Sequence, residues 1–162
     1  MRTTATLVVA LLSLLLLGAD AAEDNEVTKN PGLLVLPTAR VSDLTVYGVK
    51  LGDGVDKIPA SAGVTRQPLQ SRPQDAVYSG ANVWYYAHDG IIYRIKVHGE
   101  VAKQMPPYDT ARLQMALGKA DESITDADSS TTCLRFFARH IQYTVHNRLT
   151  LPVVTSVDLY AP

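Results

Sequence analysis

Hydrophobic residues crowd the start of the chain: Leu7 to Leu17 is apolar except for Ser13, and Arg2 precedes it. A stretch of roughly 11 residues is too short to span a bilayer, which needs about 20, and it fits the apolar core of a signal peptide. Small residues follow, and Ala19-Asp20-Ala21 has the form of an A-x-A cleavage site. Cutting after Ala21 or Ala22 leaves Glu23-Asp24-Asn25-Glu26 as a polar start. Residues 1–22 are therefore expected to be a secretory signal, and the protein to be secreted or periplasmic.

The pattern then changes. Residues 23–40 are expected to be a linker with a turn at Asn30-Pro31-Gly32 and a short apolar run, Leu33 to Leu36, closed by Pro37. Val41 to Val49 is rich in β-branched residues and predicts a strand. Asp53 is placed to cap a short helix running through Ile58 toward Ala62, with Gly63 at its end and Pro59 opposing it. Residues 64–75 are polar, hold Pro68 and Pro73, and predict a loop. Val83 to Ala87 is aromatic and apolar, His88-Asp89-Gly90 supplies a turn, and Ile91 to His98 alternates. Together they predict a hairpin with Tyr93, Ile95 and Val97 on one face and Arg94, Lys96 and His98 on the other. After Gly99 and Pro106-Pro107, a helix is expected from an N-cap at Asp109 or Thr110 to Gly118. Asp121 to Ser130 is acidic and predicts a loop. Strands follow at 132–138, 141–145 and 153–160.

The order helix, glycine, loop, strands thus occurs twice, over 41–105 and 106–162. One alignment sets Tyr85-Tyr86-Ala87 on Phe136-Phe137-Ala138. The preferred one sets Ala87-His88-Asp89 on Val145-His146-Asn147 and Ile91–Val97 on Val153–Leu159, so that each half's final strand comes last. The fold class expected is α+β, two tandem repeats of a short helix plus antiparallel β-sheet.

Gly48-Val49-Lys50-Leu51-Gly52-Asp53, followed by a short helix and Ala62-Gly63, resembles the signature of a superfamily of small envelope and inhibitor proteins. Its members include outer-membrane-assembly proteins of the SmpA/OmlA type and tandem domains like the β-lactamase inhibitor protein. Ala116-Leu117-Gly118-Lys119-Ala120 is similar to the end of that signature, with alanine where proline is usual. The resemblance implies helices on one face of an antiparallel sheet, in two copies, and a non-catalytic binding role. The chain lacks the lipoprotein cysteine of the first group and the paired disulfides of the second, so no partner-binding residue transfers.

Charge and composition narrow the classes. Lys and Arg number 15 against 16 Asp and Glu, a net charge of −1. That balance and the absence of a polybasic run speak against nucleic acid and anionic membrane, and no stable membrane insertion is expected. The single cysteine, Cys133, allows no internal disulfide and reads as a small strand hydrophobe. No H-x-x-x-H or C-x-x-C spacing is present, and no metal or cofactor is expected. His88 and His146 meet only if the two hairpins do. Asp121, Glu122, Asp126 and Asp128 lack the order of a calcium loop. No G-x-S-x-G elbow exists, and His88-Asp89 is the one adjacent pair with catalytic potential.

The aromatic strand carries the functional expectation. Trp84 and Tyr86, with Arg94 across the hairpin and His88 at its turn, form the candidate binding residues, because Trp, Tyr and Arg dominate interface hot spots. The leading expectation is an exported, non-catalytic module that binds a protein or another envelope component across its sheet. The alternatives are a small hydrolase using His88 or His146, and a structural envelope protein.

Overall fold

A computed structural model describes residues 25–69, 72–147 and 153–161. The expected signal segment and its cleavage residues Ala21 and Ala22 lie outside these. The fold is α+β. Eight strands form one antiparallel sheet in the order β1-β2-β3-β4-β8-β7-β6-β5. They are β1 (Thr65–Pro68), β2 (Asp75–Ser79), β3 (Val83–His88), β4 (Ile91–His98), β5 (Glu122–Asp126), β6 (Thr131–Phe136), β7 (Ile141–His146) and β8 (Val153–Tyr160). Two meanders of four strands are joined edge to edge by β4 and β8, with Ile95 opposite Leu159 and Val97 opposite Val157.

The strand halves mirror one another, but the helical parts do not. The first half carries only 3-10 turns, at Pro31–Val35, Val41–Asp43, Val55–Lys57 and Ala60–Ala62. The second is preceded by two α-helices, α1 (Gly99–Lys103) and α2 (Thr110–Leu117). α2 starts as expected: the Asp109 side chain accepts a hydrogen bond from Arg112 N, and Gly118 ends the helix at a positive φ. The helix expected from Asp53 is instead two 3-10 turns separated by Pro59, because proline supplies no N–H to continue the first. Asp53 does not cap it; its carboxylate accepts from Lys50 N and Lys57 Nζ.

Three other expectations are corrected. The stretch 64–75 contains β1, and 121–130 contains β5. Both are outermost strands exposed along nearly their whole length. An edge strand need not alternate, since neither face packs fully on a core. Val41–Val49 is not a strand but a 3-10 turn followed by isolated bridges.

The alternation in β4 is broken by a bulge. Tyr86 pairs with Arg94 but Ala87 pairs with Ile92, so Tyr93 is the extra residue. Ile92, Ile95 and Val97 therefore face the core, and Tyr93 is exposed. A matching bulge in β8 at Thr155 puts Val154, Val157 and Leu159 inward. Tyr93 and Thr155 coincide when Ile91–Val97 is laid on Val153–Leu159.

One face of the sheet is sealed. Its inward residues, among them Val83, Tyr85, Ile95, Leu134, Tyr143 and Leu159, form one core cluster with Val27, Leu33, Leu34, Val35, Val41, Leu44, Val46 and Val49. Val101 of α1 and Leu113 of α2 complete it. The segment expected to be a linker is thus a lid on the core. Three side chains fasten it. The fully buried phenols of Tyr85 and Tyr143 donate to the carbonyls of Val46 and Leu34, and Glu26 holds a tight turn. In that turn Val46 and Val49 exchange backbone hydrogen bonds around Tyr47 and Gly48, both at positive φ. Gly48 tolerates this because it lacks a Cβ. The Glu26 carboxylate accepts from Tyr47 N, Gly48 N, Thr28 N and the hydroxyls of Thr28 and Thr45.

Candidate functional site

The opposite face of the sheet carries none of this covering core. Alternation along β3 and β4 places Trp84, Tyr86, Arg94, Lys96 and His98 there, all half-buried by one another. Cross-strand register explains the contacts. Tyr86 is opposite Arg94, whose guanidinium lies 4.7 Å from the ring centroid. Trp84 is opposite Lys96, whose ammonium lies 5.4 Å from the indole. Each is a cation–π contact. Trp84 and Tyr86 are 6.5 Å apart, His98 meets Trp84 edge-on at 5.4 Å, and Tyr93 lies 6.5 Å from Tyr86. Trp84 Nε1 donates to Gly80 O, which holds the indole in place.

The β4–β8 junction adds a residue that sequence reasoning did not include. Asp158 is buried, and its carboxylate accepts from Arg94 Nε at 2.9 Å. Arg94 is thereby oriented beside Tyr86. The only sequence signal is a single charged residue in an otherwise uncharged strand, and its partner follows from a long-range pairing that local pattern does not encode. Lys96 has no carboxylate partner among the described residues. Farther along, Arg135 donates to Gln142 and pairs with Glu122. Cys133 sits half-buried on this face, where Gln142 Nε2 donates to its sulfur.

Protonation follows the surroundings. Burial pushes the Tyr86 phenol up, partly opposed by Arg94. Burial, with Lys96 adding to it, pushes the His98 imidazole below its usual range. A shallow groove of about 340 Å³ runs between Trp84, Lys96, His98, Thr144, Thr155 and Ser156.

His88 does not join the aromatic group by any ring contact. It sits at the exposed end of β3, with Nδ1 2.6 Å from Asp75 Oδ1 and Nε2 3.5 Å from Asp89 Oδ2. Both nitrogens face carboxylates, so no hydroxyl nucleophile is presented to it. The hydrogen bond to Asp75 raises its pKa above 6.5, with Asp89 adding to that. The sign follows: any stability from the pair is fully present below about 6.5 and is lost as pH rises through the raised folded value. NMR titration of the His88 ring should give a midpoint above 6.5 that falls in Asp75→Asn. A midpoint at or below that value, or one unmoved by the substitution, contradicts the pairing.

His88 and His146 lie at opposite ends of the sheet, because the strand order alternates β3, β4, β8, β7 and the two halves join antiparallel. Three strand spacings separate their strands, about 14 Å. They share no ion. Among the described residues no three His, Cys, Asp or Glu converge as a metal site. In the acidic segment Asp126 is spent on its own turn, accepting from Asp128 N and Ser129 Oγ.

Gly48 and Gly52 of the glycine signature both sit at positive φ, and Gly52 N donates to Ile92 O, tying the lid to β4. No helix among the described residues is long and apolar enough to cross a membrane.

No protein-family model matches the chain, and no curated protein matches it. Among solved structures it is similar to the crystal structure of a DUF4309 family protein (YjgB) from Bacillus subtilis subsp. subtilis str. 168, at 15% identity and a TM-score of 0.42, over 68% of this chain and 79% of that one.

Proposed function

We propose that this is an exported, non-catalytic binding module that engages an envelope protein through the open face of its sheet. The observation that carries the reading is the ordered strip Tyr93, Tyr86, Trp84 and His98, braced by Arg94 and Lys96, on the face opposite the core. Aromatic residues pre-set by neighbours lose little freedom on binding, and Trp, Tyr and Arg give the largest contributions at interfaces. Lys96 leaves a positive charge that an acidic group of the partner complements. The resemblance to the envelope superfamily points the same way. The hydrolase alternative finds less support, since His88 is held between two carboxylates.

Mature protein used as bait in an envelope extract should capture a partner that the Trp84→Ala/Tyr86→Ala variant does not. Both substituted side chains lie outside the core cluster, so the variant should keep the wild-type circular dichroism spectrum. Equal capture by a folded variant rejects this face as the binding surface.

A further inference from the structure

A cavity at one end of the sheet belongs to neither the core nor the aromatic strip. It holds about 560 Å³ at the end of the sheet where β8 finishes. Its walls come from residues 37–42 of the lid, the turn between β6 and β7, and the last residues of β8. A volume of that order suits a small organic ligand, and such sites combine apolar walls with a few polar groups.

Pro37, Val41, Leu51 and Ala138 supply the apolar walls. The charged groups are both cationic, Arg139 and Arg40. Arg139 donates from Nη1 to Pro37 O and from Nη2 to Leu36 O, both at 2.7 Å. These carbonyls fix the guanidinium but do not neutralise it, and no carboxylate pairs with it among the described residues. Arg40, exposed on the rim, is likewise without one. Two polar atoms of lining residues, Arg139 Nε and Tyr160 Oη, are closed to water and have no hydrogen-bond partner among the described residues. Such groups ordinarily find one. Tyr160 is also held edge-on by His140, whose backbone is left-handed at φ 53°. Asp121, the acidic group near Tyr160, is occupied in accepting from Phe137 N.

We infer that this cavity is a binding site for an organic carboxylate with a compact apolar body. The carboxylate neutralises the charges of Arg139 and Arg40, which no carboxylate among the described residues offsets. The apolar body fills the space against Val41 and Leu51. Charge-assisted bonds to arginine make the anionic head the discriminating feature. This inference is independent of the aromatic strip on the open face.

Calorimetric titration of the mature protein with octanoate, and with octan-1-ol as the uncharged analogue, tests it. Octanoate should saturate one site, at least about tenfold tighter than octanol. NMR shifts on addition should centre on His140 and Tyr160. Arg40→Gln, on an exposed side chain that anchors nothing, should weaken octanoate several-fold and leave octanol unchanged. Leu51→Trp, which fills the cavity, should abolish both. No saturable binding overturns the inference. So does equal affinity for octanol, indifference to Arg40→Gln, or shifts centred elsewhere.

Discussion

Replacing Glu26 with alanine should destabilise the protein by about 3 kcal/mol, lowering its melting temperature by roughly 10 °C. The carboxylate is nearly inaccessible to water and accepts from three backbone N–H groups and two hydroxyls. Removing it strands those donors at the joint between the start of the lid and the Tyr47-Gly48 turn. Water reaching the small recess beside Thr28 and Gly48 offsets part of the cost. Glu26→Gln should cost less, about 2 kcal/mol, because one of its two acceptors becomes an NH₂ facing donors. The effect depends on pH. Burial raises the carboxyl, but the bonds from Thr28, Gly48 and Thr45 outweigh it and hold Glu26 below 4.5. Its contribution is therefore present above 4.5 and is lost as pH falls through the folded value. Urea unfolding of wild type and Glu26→Ala should differ most near neutrality and converge in acid. A difference under 1 kcal/mol at neutral pH would show that Glu26 does not hold the lid.

Tyr143→Ala should cost more, about 4 kcal/mol, because it empties a fully buried ring site and breaks the lid's second fastening. The ring stacks edge-on against Phe136 at 5.8 Å, and its hydroxyl donates to Leu34 O. Burial raises this phenol far above its ordinary range, so it stays a neutral donor wherever the protein is folded. Tyr143→Phe separates the two contributions. It keeps the ring and strands one buried carbonyl, at about 1 kcal/mol. Tyr85→Phe should cost a similar amount, since Tyr85 makes the corresponding bond to Val46 O from the other half of the sheet. Thermal denaturation of the three variants distinguishes ring from hydroxyl. A neutral Tyr143→Phe would mean the lid is held by packing alone.

Sequence pattern makes the central strands legible because each lines the core with apolar residues on one face. β3, β4, β6, β7 and β8 carry the apolar residues at near-alternate positions, and α2 announces itself through Asp109 and Gly118. The lid carries no periodic signal for a definite reason. Val27, Leu33, Val41, Leu44 and Val49 pack through 3-10 turns and isolated bridges, which impose neither a period of two nor one of 3.6. The edge strands β1 and β5 are mostly polar and exposed, so alternation had nothing to act on. The bulges at Tyr93 and Thr155 shift the parity of β4 and β8 in mid-strand, so strict alternation puts Tyr93 on the wrong face. At the candidate site, Trp84, Tyr86 and Arg94 come together as the hairpin pattern implied. Asp158 and the cavity beside Tyr160 arise from contacts between distant segments.

Trp84 is the chain's single tryptophan, so its fluorescence reports on the proposed binding face alone. The most direct measurement is iodide quenching of residues 23–162, alone and with the proposed partner. The account predicts quenching in the free protein and protection in the complex. Protection already present in the free protein, or quenching unchanged by the partner, would contradict it.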